Sequence, residues 1–147
     1  MKHDPRPVRD EEVPGFEIQD IFLSRTDERG IIQSGNSVFR RLSEYEWGDI
    51  IGAPHKMIRH PDTPKSVFSL MWSTLQSGEA FGGYVKNRSA SGCYYWVFAV
   101  AAPVGDGYLS VRLKPSTPLL EKMRGLYSEI LNAERDEGLL PEAGAAR

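Results

Sequence analysis

Apolar positions in this chain follow two rhythms. They alternate with polar ones in five short stretches, and they recur at spacings of three and four in two longer ones. The alternating stretches predict strands near residues 21–26, 31–34, 81–87, 93–102 and 108–113. Asp27-Glu28-Arg29-Gly30 reads as a turn between the first two strands, and the Gly/Ser/Asp-rich connections 88–92 and 104–107 are short enough for hairpins. The clearest helix is expected over 64–76, with Pro64 in its first turn and Gly78 just past its end. Phe68, Met71, Trp72 and Leu75 form one stripe on it. Asn36 stands at an N-cap ahead of Val38, Phe39 and Leu42, which share a helical face. Gly48, Gly52 and Pro54 then divide residues 44–63 into short turns. After Pro115 and Pro118 a last amphipathic helix carries Leu119, Met123, Leu126 and Ile130 to about residue 133. The Glu/Gly/Ala-rich residues from Glu134 on are expected to fray. Residues 1–14, with Pro5, Pro7 and Pro14, are expected to form a flexible or loosely docked cap.

Two strands, several short helices and three further strands describe an α+β domain. The expected form is a five-stranded antiparallel sheet with helices on one face, plus a C-terminal helix. Phe81, Gly83, Val85 and Asn87 share one face of their strand. If that face is inward, Asn87 is a polar group at a pocket and Gly83 allows close approach of a flat ring. Tyr95, Val97, Ala99 and Ala101 share one face of the next strand, and Trp96, Phe98 and Val100 the other. Both faces are apolar, so both need cover. The small alanines suit a cavity side, and Trp96, Phe98 and Val100 suit an outer interface. Trp72 reads either as core or as the wall of a ligand cavity.

Composition narrows the classes. The 147 residues carry 18 Lys plus Arg against 20 Asp plus Glu, a net charge of −2, which argues against nucleic-acid binding. The longest apolar run, 96–102, falls well short of the roughly 20 residues a membrane helix needs, so no membrane insertion is expected. The N-terminal stretch has no apolar run of the secretory kind, and the single Cys93 cannot form an internal disulfide; a cytoplasmic location is the expectation. Gly-x-Ser-x-Gly, Walker and dinucleotide glycine patterns are missing, so no enzyme activity is expected.

Residues 54–65 (PHKMIRHPDTPK) hold two histidines, three basic residues, one acid and three prolines. A proline-stiffened basic loop can hold polar groups against an anion at low entropic cost. The alternative is a solvated connection with no such role. His60-Pro61-Asp62 also occurs between the helices of J-domains, but the helix that must precede it there is interrupted here by Gly48, Gly52 and Pro54. A zinc site from His55, His60 and Cys93 is only weakly supported, because the i, i+5 spacing does not put both histidines on one helical face and there is no second cysteine.

Several blocks resemble a PAS domain. They are Ser24-Arg25-Thr26-Asp27 with Gly30-Ile31-Ile32, Asn36-Ser37-Val38-Phe39, Gly52-Ala53-Pro54-His55, the run Ile58 to Lys65, Val85-Lys86-Asn87-Arg88, Gly92 to Val97, and Ser110-Val111-Arg112. The Arg-His-Pro-Asp and Val-Lys-Asn-Arg blocks resemble, more narrowly, the PAS domain of aerotaxis (energy-taxis) receptors. The likeness runs from about 20 to 113 and extends weakly into the final helix. It divides the chain into an N-terminal cap segment (1–18), a PAS sensor domain (19–115), and an amphipathic signalling helix with a flexible tail (116–147).

The resemblance implies noncovalent FAD, reporting redox state to the chemotaxis machinery. Carried over residue by residue, it implies Asn36, Arg59, His60, Asp62, Phe68, Trp72 and Asn87 as the flavin-holding or sensing positions. Other members of the broader group bind haem, for which His55 or His60 would serve as ligand. A PAS fold acting only as an interaction module is the third expectation. Two departures stand out: Phe81 replaces the family's usual tryptophan, and the 104–107 turn is short. The light-sensing branch needs a cysteine in an Asn-Cys-Arg-Phe-like motif, which this chain lacks. The implied partner is a chemotaxis receptor or signalling domain on a separate chain, the present chain being a fragment or a stand-alone sensor. A homodimer through Trp96, Phe98 and Val100 is also expected.

Overall fold

The computed structural model describes residues 4–137. Five strands, β1 (Ile21–Thr26), β2 (Ile32–Gly35), β3 (Phe81–Arg88), β4 (Tyr94–Val104) and β5 (Gly107–Leu113), form one antiparallel sheet in the order β2-β1-β5-β4-β3. Between β2 and β3 lie α1 (Ser37–Ser43), α2 (Trp47–Ile50), a 3₁₀ turn (His55–Ile58) and α3 (Lys65–Gln76); α4 (Thr117–Asp136) follows β5. The expected elements are all present, with ends displaced by a residue or a few.

The core lies between the inner sheet face and α1 to α3. Phe22 stacks on Phe39 with ring centroids 4.5 Å apart, and Ile32, Leu42, Ile50, Ile58, Tyr95 and Val97 belong to the same buried cluster. The β4 faces divide as the alternation predicts: Tyr95, Val97, Ala99 and Ala101 are buried inward.

Three expectations need correction. The N-terminal segment is firmly docked. Tyr94 N donates to Glu11 O, Val13 N donates to Tyr94 O, and Arg9 N donates to Gly92 O, so residues 9–13 run beside the start of β4 where β5 gives no partner. Val13 and Phe16 enter the core, and Arg6 donates to Tyr45 Oη (2.8 Å) and Met57 O (2.6 Å). Residues 1–3 of the expected cap lie outside the described residues. Second, the helix does not fray at Glu134: α4 continues to Asp136, and Glu134 is buried. The residues after 137 lie outside the described range. Third, Trp96 is not on an open outer face. It is 3% exposed, because Tyr127 of α4 meets it edge-on with centroids 4.7 Å apart. The chain's own last helix supplies cover that was expected from a second chain.

Candidate functional site: the cleft under α3

A cavity of about 440 Å³ lies between α3, the 3₁₀ turn and the inner faces of β3, β4 and β5. Helical spacing puts Phe68, Met71, Trp72 and Leu75 along its helical wall. These residues are the stripe read from the sequence, but three of them are only half-buried because they face open space rather than packed core. Period two puts Val85 and Asn87 of β3, and Tyr108, Ser110 and Arg112 of β5, on the sheet wall. Trp72 meets Tyr108 edge-on at 5.5 Å. At Gly30, where φ is +82°, a Cβ would stand 3.2 Å from the Trp72 ring, so this turn needs glycine for backbone and space together.

The electrostatics are one-sided. Arg29, Lys56, Arg59 and Arg112 line the cavity, and among the described residues no carboxylate does. Arg112 is buried, donates from Nη1 to Ser24 Oγ at 3.2 Å and lies 5.0 Å over the Phe22 ring. Burial pushes its guanidinium down to about 10, with the neighbouring Tyr95 acting weakly the other way. The Nε2 atom of His55 lies 2.9 Å from Ser24 Oγ. That hydroxyl also accepts from Arg112 and so joins the two side chains. Burial first, and the charge of Arg112 second, hold His55 well below the ordinary histidine range, so its ring is neutral at pH 7. Asn87 Nδ2, Ser110 Oγ and Arg112 Nε are buried with no hydrogen-bond partner among the described residues. Buried donors are normally satisfied, so three of them around one cavity mark a place where acceptors are wanted.

The residues implied by resemblance separate into two groups. Arg59, Phe68, Trp72 and Asn87 meet at the cavity, with the Arg59 guanidinium 4.6 Å over the Phe68 ring. Asn36, His60 and Asp62 do not line it. Asn36 is a joint of the scaffold: Oδ1 accepts from Phe39 N and Leu23 N, and Nδ2 donates to Ile21 O, which ties α1 to β1. His60 is 1% exposed, and its Nδ1 accepts from Asp62 N at 2.9 Å. His60 N and Thr63 Oγ1 both donate to Lys86 O, and the Arg59 backbone bridges to Asn87. The His-Pro-Asp block thus covers the free edge of β3. Asp62 lies 3.6 Å from Lys86 Nζ and faces a smaller crevice, about 230 Å³, under α4.

Gly83 also differs from its expected role. The Phe81 ring already fills its surface, 2.9 Å from where a Cβ would stand. Arg112, Ser110, Tyr108 and Met71 were not singled out as site residues from the sequence. The available signal was β5, where Ser110 and Arg112 share a face and Leu109, Val111 and Leu113 the other.

Residues 34–110 match the family described as PAS fold. The chain is 40% identical over 118 residues, 77% of its length, to the aerotaxis receptor of Escherichia coli K12, of which it spans 23%. It is 26% identical over 84 residues to a nitrogen fixation regulatory protein of Klebsiella pneumoniae, covering 57% of this chain and 17% of that one. Among solved structures, the PAS domain of a Colwellia psychrerythraea protein superposes with a TM-score of 0.59 at 21% identity, covering 65% of this chain and 86% of that one. The LOV domain of a blue-light activated histidine kinase from Erythrobacter litoralis gives 0.56 at 12%, covering 63% and 92%. Both structural likenesses concern the fold alone. With its strand order, its cleft and more than half its length accounted for together, the chain belongs to the PAS family.

Proposed function

We propose that this is a sensory PAS domain that holds FAD in the cleft under α3 and reports its redox state to the chemotaxis machinery. The observation that carries the reading is the set of three buried donors without partners, on Asn87, Ser110 and Arg112, beside flat apolar walls and under a cationic rim. A flavin ring offers acceptors along one edge and flat faces to an aromatic wall, and the two phosphates of FAD suit Arg29, Lys56 and Arg59. The cavity volume falls in the usual range for ligand sites. When bound, flavin supplies reversible uptake of electrons and protons. Arg112 holds a fixed positive charge at the cavity floor, Asn87 can turn its amide to follow a change in the ring's hydrogen bonding, and β3 can pass that change to the sheet.

Haem on a histidine has less support. Ser24 engages His55 Nε2, and His60 is committed to its turn outside the cavity. An absorption spectrum of the freshly purified chain tests the reading. Flavin bands and FAD released on denaturation are expected. An intense haem band would favour the alternative, and a colourless protein that takes up neither group would leave only an interaction module.

The output partner in this reading is a chemotaxis receptor or signalling domain on another chain, and a second copy of this chain covers what α4 leaves open on the outer sheet face. Val100, Leu109 and Leu113 remain exposed there, as do Leu119 and Leu126 on α4.

A further inference from the structure

Helix α3 begins without a local cap. Its N-cap residue is Pro64, which has no side-chain acceptor, and no acid stands in its first turn. The first amides of a helix must nevertheless find partners. They find them 68 or more residues away: Glu134 of α4 accepts from Lys65 N at 3.0 Å, from Ser66 N at 2.9 Å, and from the Ser66 hydroxyl. Glu134 is 4% exposed although it sits near the end of the chain's last helix. Its negative charge also complements the positive end of the α3 dipole.

The same helix is held at a second point. Tyr127 donates its hydroxyl to Tyr84 O on β3 and packs against Trp96. Both points back onto the cleft. α3 carries Phe68, Met71 and Trp72 into it, and β3 carries Val85 and Asn87.

We infer that Glu134 is a positioning residue of the cleft: by capping α3 from α4, it sets the helical wall against the sheet and couples α4 docking to occupancy of the cavity. The coupling is reciprocal by thermodynamic necessity. Whatever favours the docked helix favours the ligand, and the ligand favours docking to the same degree. The inference rests on the cavity being the ligand site for its second half only; capping of α3 stands without it.

Amide hydrogen exchange on the full chain without ligand tests the capping. In Glu134→Ala the amides of Lys65 and Ser66 and those of the last turns of α4 should exchange about tenfold faster, while β4 amides stay protected. Glu134→Gln, which keeps an acceptor and loses the charge, should fall between the two and serves alone if the alanine variant unfolds. Exchange rising in α4 with α3 unchanged would overturn the inference, because Glu134 would then hold its own helix and nothing more. Titration with FAD tests the coupling: affinity should drop about tenfold in Glu134→Ala, with recovery toward wild type in Glu134→Gln. Equal FAD affinity in wild type and alanine variant would refute the coupling. If wild type takes up no FAD, the flavin reading fails, and the exchange data still decide whether α4 caps α3.

Discussion

Arg112 donates to the Ser24 hydroxyl at 3.2 Å from inside the protein, and among the described residues no carboxylate forms an ion pair with it. A buried cation without a counter-ion is costly to keep. The Phe22 ring and Ser24 offset part of that cost, and Nε is left over at the cavity. Such an arrangement makes sense where a ligand completes it.

Arg112→Met should therefore separate folding from binding. The variant removes a desolvated charge along with a cation–π contact and one hydrogen bond, so the ligand-free stability should change by no more than about 1 kcal/mol in either direction. FAD affinity should fall about tenfold or more, since a charged donor is lost. Urea unfolding and flavin titration measure the two. A large loss of stability with unchanged FAD affinity would make Arg112 a scaffold residue.

His55 gives a pH signature. Its folded pKa lies well below 6.5, so under mildly acid conditions the unfolded chain binds a proton that the folded chain refuses. Stability from this group is present above about pH 6.5 and is lost as pH falls below it, at up to about 1.4 kcal/mol per pH unit. Between about pH 6.5 and 5, urea midpoints of wild type should fall more steeply than those of His55→Gln. Parallel curves would mean that His55 titrates normally.

The fold was legible because its rhythms agree: period two in the strands, three and four in α3, glycine and proline between. The site was legible in part, and the reason lies in single strands. On β5 the apolar residues Leu109 and Leu113 face outward, while Ser110 and Arg112 are buried. A strand with its polar face inward defeats the rule that apolar side chains mark the core, and such violations are expected where a ligand site is built. Asn36 and His60 lie away from the cavity for the opposite reason. Their residue types suit binding, but in this chain both engage backbone groups, Asn36 at a helix start and His60 in a turn. Nothing local at Pro64 points to Glu134 as its cap. That contact joins helices far apart in sequence, which periodicity cannot pair.

Asn87 and Trp72 should respond differently to truncation. Asn87 Nδ2 has no partner to lose among the described residues, so Asn87→Ala should cost less than about 1 kcal/mol without ligand and still reduce flavin occupancy. Trp72 is half-buried against Tyr108 and one cavity wall. Trp72→Ala should cost about 1–2 kcal/mol, less than the roughly 3–5 of a fully enclosed aromatic, with most FAD uptake gone. Retained flavin in both variants would move the site away from this cleft.

The outer sheet face allows a test of self-association. Register places Leu23 beside Val111 and Val111 beside Val100, with Ile21, Leu113 and Phe98 in the next row, so the apolar side chains form one surface across three strands. Val100 and Leu113 are 41% and 40% exposed, and α4 leaves them uncovered. A patch of this kind on a soluble domain usually marks a contact with a partner. Val100→Glu should turn a dimer into a monomer in analytical ultracentrifugation and leave FAD in place, because the cavity lies on the opposite face of the sheet. Phe98→Glu should weaken the dimer as well, with some loss of stability from its contact with Tyr84. Trp96→Glu would act by another route, expelling Tyr127 and loosening α4. A wild-type chain that stays monomeric up to about 100 µM, a concentration at which a micromolar dimer would be well populated, would show that this face serves a different partner.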